Sequence, residues 1–282
     1  MEYKSMNDEL KKNIERVLLA PYQDQDEKDL LTETQELISE INGALDESSD
    51  QYIENLPHPH NWKLAGGQMA VDLVDFCGSD QMFLAAARVS TSTHEATTTK
   101  ERDLKLARFL LKHGHTSPFE HAFITYRIEA PIFAARQIMR HRTFSYNEIS
   151  RRYTEKNLDF YIPQALYAQD EKRLQCSTDQ ALDQDLLRTV KLSTQGALSA
   201  YDQLLQAGVS REQARFVLPM NTLTTFYMSG NFFNWTKFLK LRCDSHTQYE
   251  TRLIAGAIKE SLSTLYPDTM NIIKELGYIP AN

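Results

Sequence analysis

Cysteine is scarce in this chain. Cys77, Cys176 and Cys243 are its only three, widely spaced over 282 residues. An odd, scattered set argues against a disulfide framework and for a reducing, cytosolic setting. No apolar run approaches the roughly 18 residues that a membrane span requires. The opening MEYKSMNDELKKNIERV lacks the apolar stretch of a secretory signal. There is no internal repeat and no βαβ rhythm. Basic charge is not in excess either, since the net charge is −7. That acidity is local: residues 1–56 hold fifteen acids against five bases, and the rest of the chain balances at +3. A mildly basic body suits a phosphate-bearing small ligand, but +3 is too weak for a nucleic-acid signature.

What is present reads as two regions. Leu10, Ile14, Val17 and Leu18, then Leu31, Leu37, Ile38, Ile41 and Leu45, repeat at helical spacing. Pro57-His58-Pro59-His60 reads as a linker, with a boundary near Gly66-Gly67. Residues 1–66 are therefore expected to form an acidic helical extension, and residues 67–282 the main domain. Val71–Phe76 alternates like a strand. Thr98-Thr99-Lys100-Glu101 has the form of a capping box, opening a helix through Leu104, Ala107 and Leu111 that stops at Gly114. Ala122–Glu129 reads as a strand, and Pro131 opens a helix with Ile132, Ala135 and Met139 as its buried stripe. Gln137, Arg140 and His141 fall on another face. Ser210-Arg211-Glu212-Gln213 is a second capping box, whose helix Pro219 ends. Tyr249, Leu253, Ala257 and Leu265 mark a long helix closed by Pro267. Residues 165–188 read as a loop or insertion. The mixture predicts an α+β fold, an antiparallel sheet packed with helices.

The chemistry concentrates in one window. Six arginines lie between Arg127 and Arg152, four of them in RHRTFSYNEISRR. Guanidinium forks bind phosphate in a bidentate manner, and interspersed Ser and Asn add neutral donors. The cluster points to a nucleotide or dinucleotide phosphate site; the bland alternative is a solvated basic loop. No cysteine sits beside a histidine or in a nucleophile motif, so all three read as small packed side chains. The aromatics Phe226, Tyr227, Phe232, Phe233 and Trp235 read as core or interface.

Arg140-His141-Arg142 followed by Ser150, with Asn147-Glu148 and Arg152-Tyr153, resembles the signature of the flavin-dependent thymidylate synthases. HGHTSPFEH (113–121), APIFAARQ (130–137), FYIP (160–163), AGVSREQARFVLPMN (207–221) and LRCDSHTQYE (241–250) resemble further blocks of that family, in its order. The resemblance covers roughly residues 70–265. It implies a fold of the thymidylate synthase-complementing protein type, with the helical N-terminal extension added. It implies reductive methylation of dUMP to dTMP, with methylenetetrahydrofolate as carbon donor, FAD reduced by NADPH as hydride donor, and no cysteine nucleophile. It also implies a homotetramer with shared sites.

Residue by residue, the resemblance implies that Gln137, Arg140, Glu148, Ser150 and Arg152 hold dUMP, with Ser150 and Arg152 near the phosphate. Arg215 would reach the nucleotide from a neighbouring subunit. Arg242 would contact the uracil carbonyl edge and carry the catalytic role. Arg151 would add charge at the dUMP phosphate or point to solvent. Ser117, Glu120, Arg140, His141, Arg142, Asn147, Asn231 and His246 match FAD-contacting positions, and His115 the open edge that folate and nicotinamide approach. Phe233 and Lys237 stand where family members often carry a basic and an amide-bearing residue. His113, His115 and His121 could suggest zinc, but they lack a carboxylate partner and their block matches the flavin family, so no metal is expected. Two other readings stay open: transfer of a hydroxymethyl group, and a non-catalytic nucleotide- or RNA-binding module.

Overall fold

A computed structural model describes residues 61–90 and 99–280. The chain divides into two compact units, residues 1–57 and 58–282. The helices expected before residue 57 lie outside the described residues.

The second unit begins with β1 (Asn61–Leu64), β2 (Met69–Cys77), α1 (Asp80–Val89) and α2 (Lys100–Lys112). A 3-10 turn (Ser117–Glu120) leads to β3 (Phe123–Pro131), α3 (Ile132–Ile138) and β4 (Ser145–Glu148). A small hairpin, β5 (Tyr167–Gln169) and β6 (Ser177–Ala181), precedes the long α4 (Asp185–Gln206) and the short α5 (Arg211–Ala214). The described chain ends with β7 (Leu223–Asn231), α6 (Phe232–Arg242), α7 (Tyr249–Leu265) and α8 (Pro267–Glu275). Five strands form one antiparallel sheet in the order β1-β2-β3-β7-β4. The α+β expectation is met.

Alternation decides which face of the sheet is buried. Ile124, Tyr126, Ile128 and Ala130 of β3 point inward, while Thr125, Arg127 and Glu129 stay half-exposed. Phe226 and Met228 of β7 continue the inner face. Against it pack Trp235, Phe238 and Leu239 of α6 and Ile254, Ile258 and Leu262 of α7. Buried polar atoms on this layer are paired: Tyr126 Oη donates to Ser261 Oγ at 2.8 Å, and Trp235 Nε1 donates to the Ile124 carbonyl at 3.2 Å. A second cluster joins Phe83, Phe119, Phe232 and Tyr266, with ring centroids 4.9 to 5.5 Å apart. Beside it Asp80 caps α8 from a distance, accepting from the amides of Asp268 and Thr269 at 3.1 and 2.9 Å.

Several local expectations need correction. Gly66 and Gly67, at φ 68° and 89°, are not a domain boundary. They turn the β1–β2 hairpin, in which Leu64 pairs with Met69, so Asn61–Leu64 belongs to the sheet. The hydroxyl capping α2 is that of Thr99, accepting from Arg102 N at 3.4 Å; Thr98 lies outside the described residues. Ser210 makes no side-chain cap, and its helix tightens after one turn into a 3-10 segment, Arg215–Val217. The buried face of α3 is Ala134, Ala135 and Ile138, with Ile132 and Met139 only half-buried. Pro267 is the first residue of α8 as well as the end of α7. Residues 165–188 hold the β5–β6 hairpin and the start of α4. Apolar periodicity does not mark that helix, because its buried positions, Leu187, Thr194 and Tyr201, include a threonine, while Leu186 and Leu192 are exposed.

Candidate active site

The site grows from the end of α3. This helix lasts only seven residues, and the chain then turns sharply, with His141 N donating to the Ile138 carbonyl at 3.1 Å. Tyr146, on β4, secures the turn: its hydroxyl donates to the carbonyls of His141 at 2.8 Å and Ile138 at 3.2 Å. Burial pushes the Tyr146 pKa up to about 12, so it remains a donor at neutral pH. Phe144 is the plug beneath the turn, its ring centroid 4.6 Å from that of Trp235.

Arg242, the last residue of α6, completes the arrangement. Its Nε donates to His141 Nε2 at 3.0 Å, and its Nη2 to the Gln137 carbonyl at 2.5 Å. His141 must therefore be neutral, with its proton on Nδ1, because a protonated Nε2 would face another donor. Burial is the main cause that lowers the His141 pKa to about 4, and the Arg242 charge adds to it. The sign of the pH dependence follows. In the unfolded chain His141 protonates near its ordinary value of 6.5; in the folded protein it resists until about 4. Stability is expected to fall as pH drops through that window, and a thermal melting series should show it. His141→Gln should flatten this part of the profile; an unchanged slope would contradict the assignment.

Gln137 and Arg242 open onto a cavity of about 560 Å³, together with Arg136, Arg140, His246 and Gln248. Gln137 is fixed at both ends, its Nε2 donating to Gln248 Oε1 at 2.5 Å and its Oε1 accepting from Thr251 Oγ1 at 3.3 Å. His246 Nδ1 lies 2.6 Å from Asp244 Oδ1. The amide and ring of His246 hold the Asp244 carboxyl below the usual carboxylate range. Arg136 and Arg140 make no hydrogen bond or ion pair among the described residues and are free to meet anions.

The remaining nucleotide candidates gather elsewhere. Glu148, at the end of β4, accepts from Thr224 Oγ1 at 2.6 Å. Arg152 pairs with Glu212 at 3.4 Å, and Arg215 Nε donates to the Glu212 carbonyl at 3.3 Å. Arg152 and Arg215 thus share one neighbour within a single chain. Ser150 Oγ accepts from the Arg152 amide at 3.2 Å. None of these four residues lines the cavity. Arg151 does neither thing expected of it. It is 9% exposed, and its guanidinium donates to the carbonyls of Lys156 at 2.7 Å, Asn157 at 2.9 Å and Leu223 at 3.4 Å. It clasps a loop in place of reaching a phosphate or solvent.

Of the flavin candidates, Arg140 and His246 line the cavity, and His141 lies behind Arg242. Ser117 and Glu120 belong to the 3-10 turn that leads into β3, and Asn231, at the end of β7, pairs with Phe123 at the start of β3 and caps α6 through Asn234 N at 2.8 Å. Arg142 and Asn147 are exposed. His115 follows α2, its ring stacked 6.2 Å from Phe109, and does not line the cavity. Phe233 is 5% exposed, with Lys237 Nζ 4.6 Å above its ring, so these two satisfy one another. Sequence reasoning missed Tyr146, Phe144 and Gln248. Nothing local distinguishes them, since their roles depend on partners distant in the chain.

The guanidiniums and amides of this cavity suit a flavin or nucleotide: cations for phosphate, amides for a heterocycle edge. Comparison with known proteins agrees. Residues 72–268 match the family described as thymidylate synthase complementing protein. The flavin-dependent thymidylate synthase of Thermus thermophilus is 43% identical over 197 residues, 70% of this chain and 72% of that protein. That of Thermosipho africanus is 39% identical over 209 residues, 73% of this chain and 91% of the relative. The crystal structure of the UMP/dUMP methylase PolB from Streptomyces cacaoi, bound with 5-Br dUMP, superposes with a TM-score of 0.68 at 33% identity, covering 75% of this chain and 96% of that one. With the family match running from β2 into α8 and every candidate site residue inside it, this chain belongs to the flavin-dependent thymidylate synthase family.

Proposed function

We propose that the cavity beside Arg242 is where this chain binds the uracil ring of dUMP against the flavin. Flavin-dependent thymidylate synthases make dTMP from dUMP, and this chain carries that activity. Methylenetetrahydrofolate gives the carbon, and bound FAD, reduced by NADPH, supplies the hydride. The observation that carries the assignment of the site is the anchored Arg242 guanidinium. Two of its donors are spent on His141 and the Gln137 carbonyl, which aims the remainder at the cavity. Such a fixed cation stabilises negative charge developing on a uracil carbonyl and so activates C5 without a covalent nucleophile. His141 acts through Arg242 as a positioning residue. The cysteines fit this route: burial pushes the Cys243 thiol up, and Cys176 Sγ is turned to the His246 carbonyl at 3.6 Å.

In this reading Gln137, Arg140 and Arg242 hold the base side of dUMP. Glu148, Ser150, Arg152 and Arg215 form a second group for its phosphate side. A second copy bringing that edge to the cavity of the first completes the set, which supports sites shared between subunits, as in the homotetramer that the family resemblance implies. Tyr153 and Phe216, 77% and 76% exposed beside Arg152 and Arg215, are surface that assembly would bury. Ser117, Glu120, Arg140, Arg142, Asn147, Asn231 and His246 are the groups we assign to FAD, with His115 at the folate and nicotinamide approach. We assign the enzyme to the cytoplasm, a reading its small-molecule substrates support; no helix among the described residues is long and apolar enough to cross a membrane.

The test is an absorbance spectrum of the purified protein, followed by NADPH oxidation with and without dUMP and mass analysis of the product. UMP is run alongside, because the solved PolB relative is a UMP/dUMP methylase. Flavin bands, dUMP-stimulated oxidation and a product of dTMP mass are the expected results. A protein that stays colourless with FAD and ignores dUMP refutes the reading.

A further inference from the structure

The cavity has one more wall, drawn from the segment that reads in sequence as a loop or insertion. Between β5 and β6 the chain makes a tightly tied turn. Asp170 Oδ1 accepts from the amides of Lys172 at 2.8 Å and Arg173 at 2.7 Å. Asp170 N donates to the Cys176 carbonyl at 3.0 Å, and Gln169 Nε2 to the Leu174 carbonyl at 2.7 Å. The turn docks on the loop after α6 through Cys176 Sγ, which donates to the His246 carbonyl at 3.6 Å. Gln175, next to Cys176 in this turn, lines the cavity wall, and its carboxamide makes no hydrogen bond among the described residues.

The polar inventory of the cavity gives this amide a distinct use. Arg136, Arg140 and Arg242 are donors only. Gln137 is occupied at both ends, and Gln248 has given its oxygen to Gln137. Asp244 and His246 bond each other, and Thr247 Oγ1 donates to the Leu241 carbonyl at 2.9 Å. A carboxylate or a ring nitrogen can accept, but neither carries a donor beside its acceptor. Among these side chains, Gln175 alone is a carboxamide with neither its acceptor nor its donor engaged. That pair matches a cyclic imide edge, in which a ring N–H lies between two carbonyls. The uracil of dUMP has such an edge, and so does the pyrimidinedione ring of the flavin.

We propose that Gln175 is a specificity-determining contact that reads the imide edge of the ligand in this cavity, and that the Asp170–Cys176 turn exists to present it. This rests on the assignment of the cavity to nucleotide and flavin made above. The imide N–H meets Gln175 Oε1, and a neighbouring carbonyl meets its Nε2. A site built around such a pair rejects analogues that cannot complete it.

The experiment uses the FAD-loaded enzyme and Gln175→Met, which keeps the length of the side chain and removes both polar groups. Gln175 is exposed in a turn, so the thermal midpoint should match wild type. Calorimetric titration with dUMP and with its N3-methyl analogue, and fluorescence titration of FAD into the apoenzyme, give three affinities for each protein. If uracil is read, wild type prefers dUMP to the N3-methyl analogue, and Gln175→Met weakens dUMP about tenfold while losing that preference. If the flavin is read, the variant instead loses FAD affinity by a similar factor and keeps its dUMP discrimination. Unchanged affinity for both ligands overturns the proposal and leaves the site assignment standing. Wild-type protein that binds neither dUMP nor FAD overturns the site assignment itself.

Discussion

Arg242→Lys is expected to lower kcat by about 100- to 1,000-fold at saturating dUMP, the loss typical of removing one fixed donor from a developing anion. A guanidinium reaches His141 Nε2 and the Gln137 carbonyl at once, while offering further donors to the cavity. An ammonium is a point charge on a flexible stem and cannot keep that direction. The charge survives the substitution, so the loss measures geometry. FAD content, read by absorbance, should stay near wild type, since Arg242 does not belong to the groups assigned to the flavin. Arg242→Ala has a second signature. With the cation gone, the His141 pKa should rise from about 4, yet remain below 6.5 because burial is the larger cause. Proton NMR of the imidazole reads this directly. A kcat within tenfold of wild type for the lysine variant would remove Arg242 from the catalytic role.

Gly230→Ala should be a strongly damaging conservative change outside the cavity. A methyl group there would lie 2.5 and 2.7 Å from two ring carbons of Phe144. Phe144 has little room to retreat, because it is buried and packs against the buried Trp235 ring with centroids 4.6 Å apart. Overpacking of this kind costs about 1–3 kcal/mol. Phe144 also belongs to the segment that carries Arg140, His141 and Arg142, so activity should fall together with stability. Urea denaturation of Gly230→Ala, Phe144→Leu and the double variant makes the point. The two changes act on one contact and should be non-additive, with Phe144→Leu relieving part of the alanine's cost. Strict additivity would show that the ring and the glycine do not communicate.

Much of this protein can be read from its neighbours in sequence. The alternation of Ile124, Tyr126 and Ile128 defines β3, and Gly114, at φ 72°, follows the end of α2 as expected. These features depend on residues within a few positions of one another, where periodicity and backbone sterics act alone. The density of arginine from Arg127 to Arg152 likewise marks a place for anions before any fold is known.

Individual guanidiniums then take opposite roles. Arg140 and Arg242 reach the cavity, Arg152 finds Glu212, and Arg151 turns inward to three carbonyls. Adjacent residues with the same side chain differ here only because the chain around them folds back from residues 156, 157, 212 and 223. The same holds for the His141–Arg242 pair, whose members are 101 residues apart, and for Gln175, carried to the cavity by a hairpin that has no strong pattern of its own. Composition and spacing by themselves determined the strands and helices that local periodicity encodes, and the chemical class of the site. The tertiary structure alone decided which cation faces the ligand, which histidine stays neutral and which amide is left free, because hydrogen-bond partners and burial are set by long-range packing.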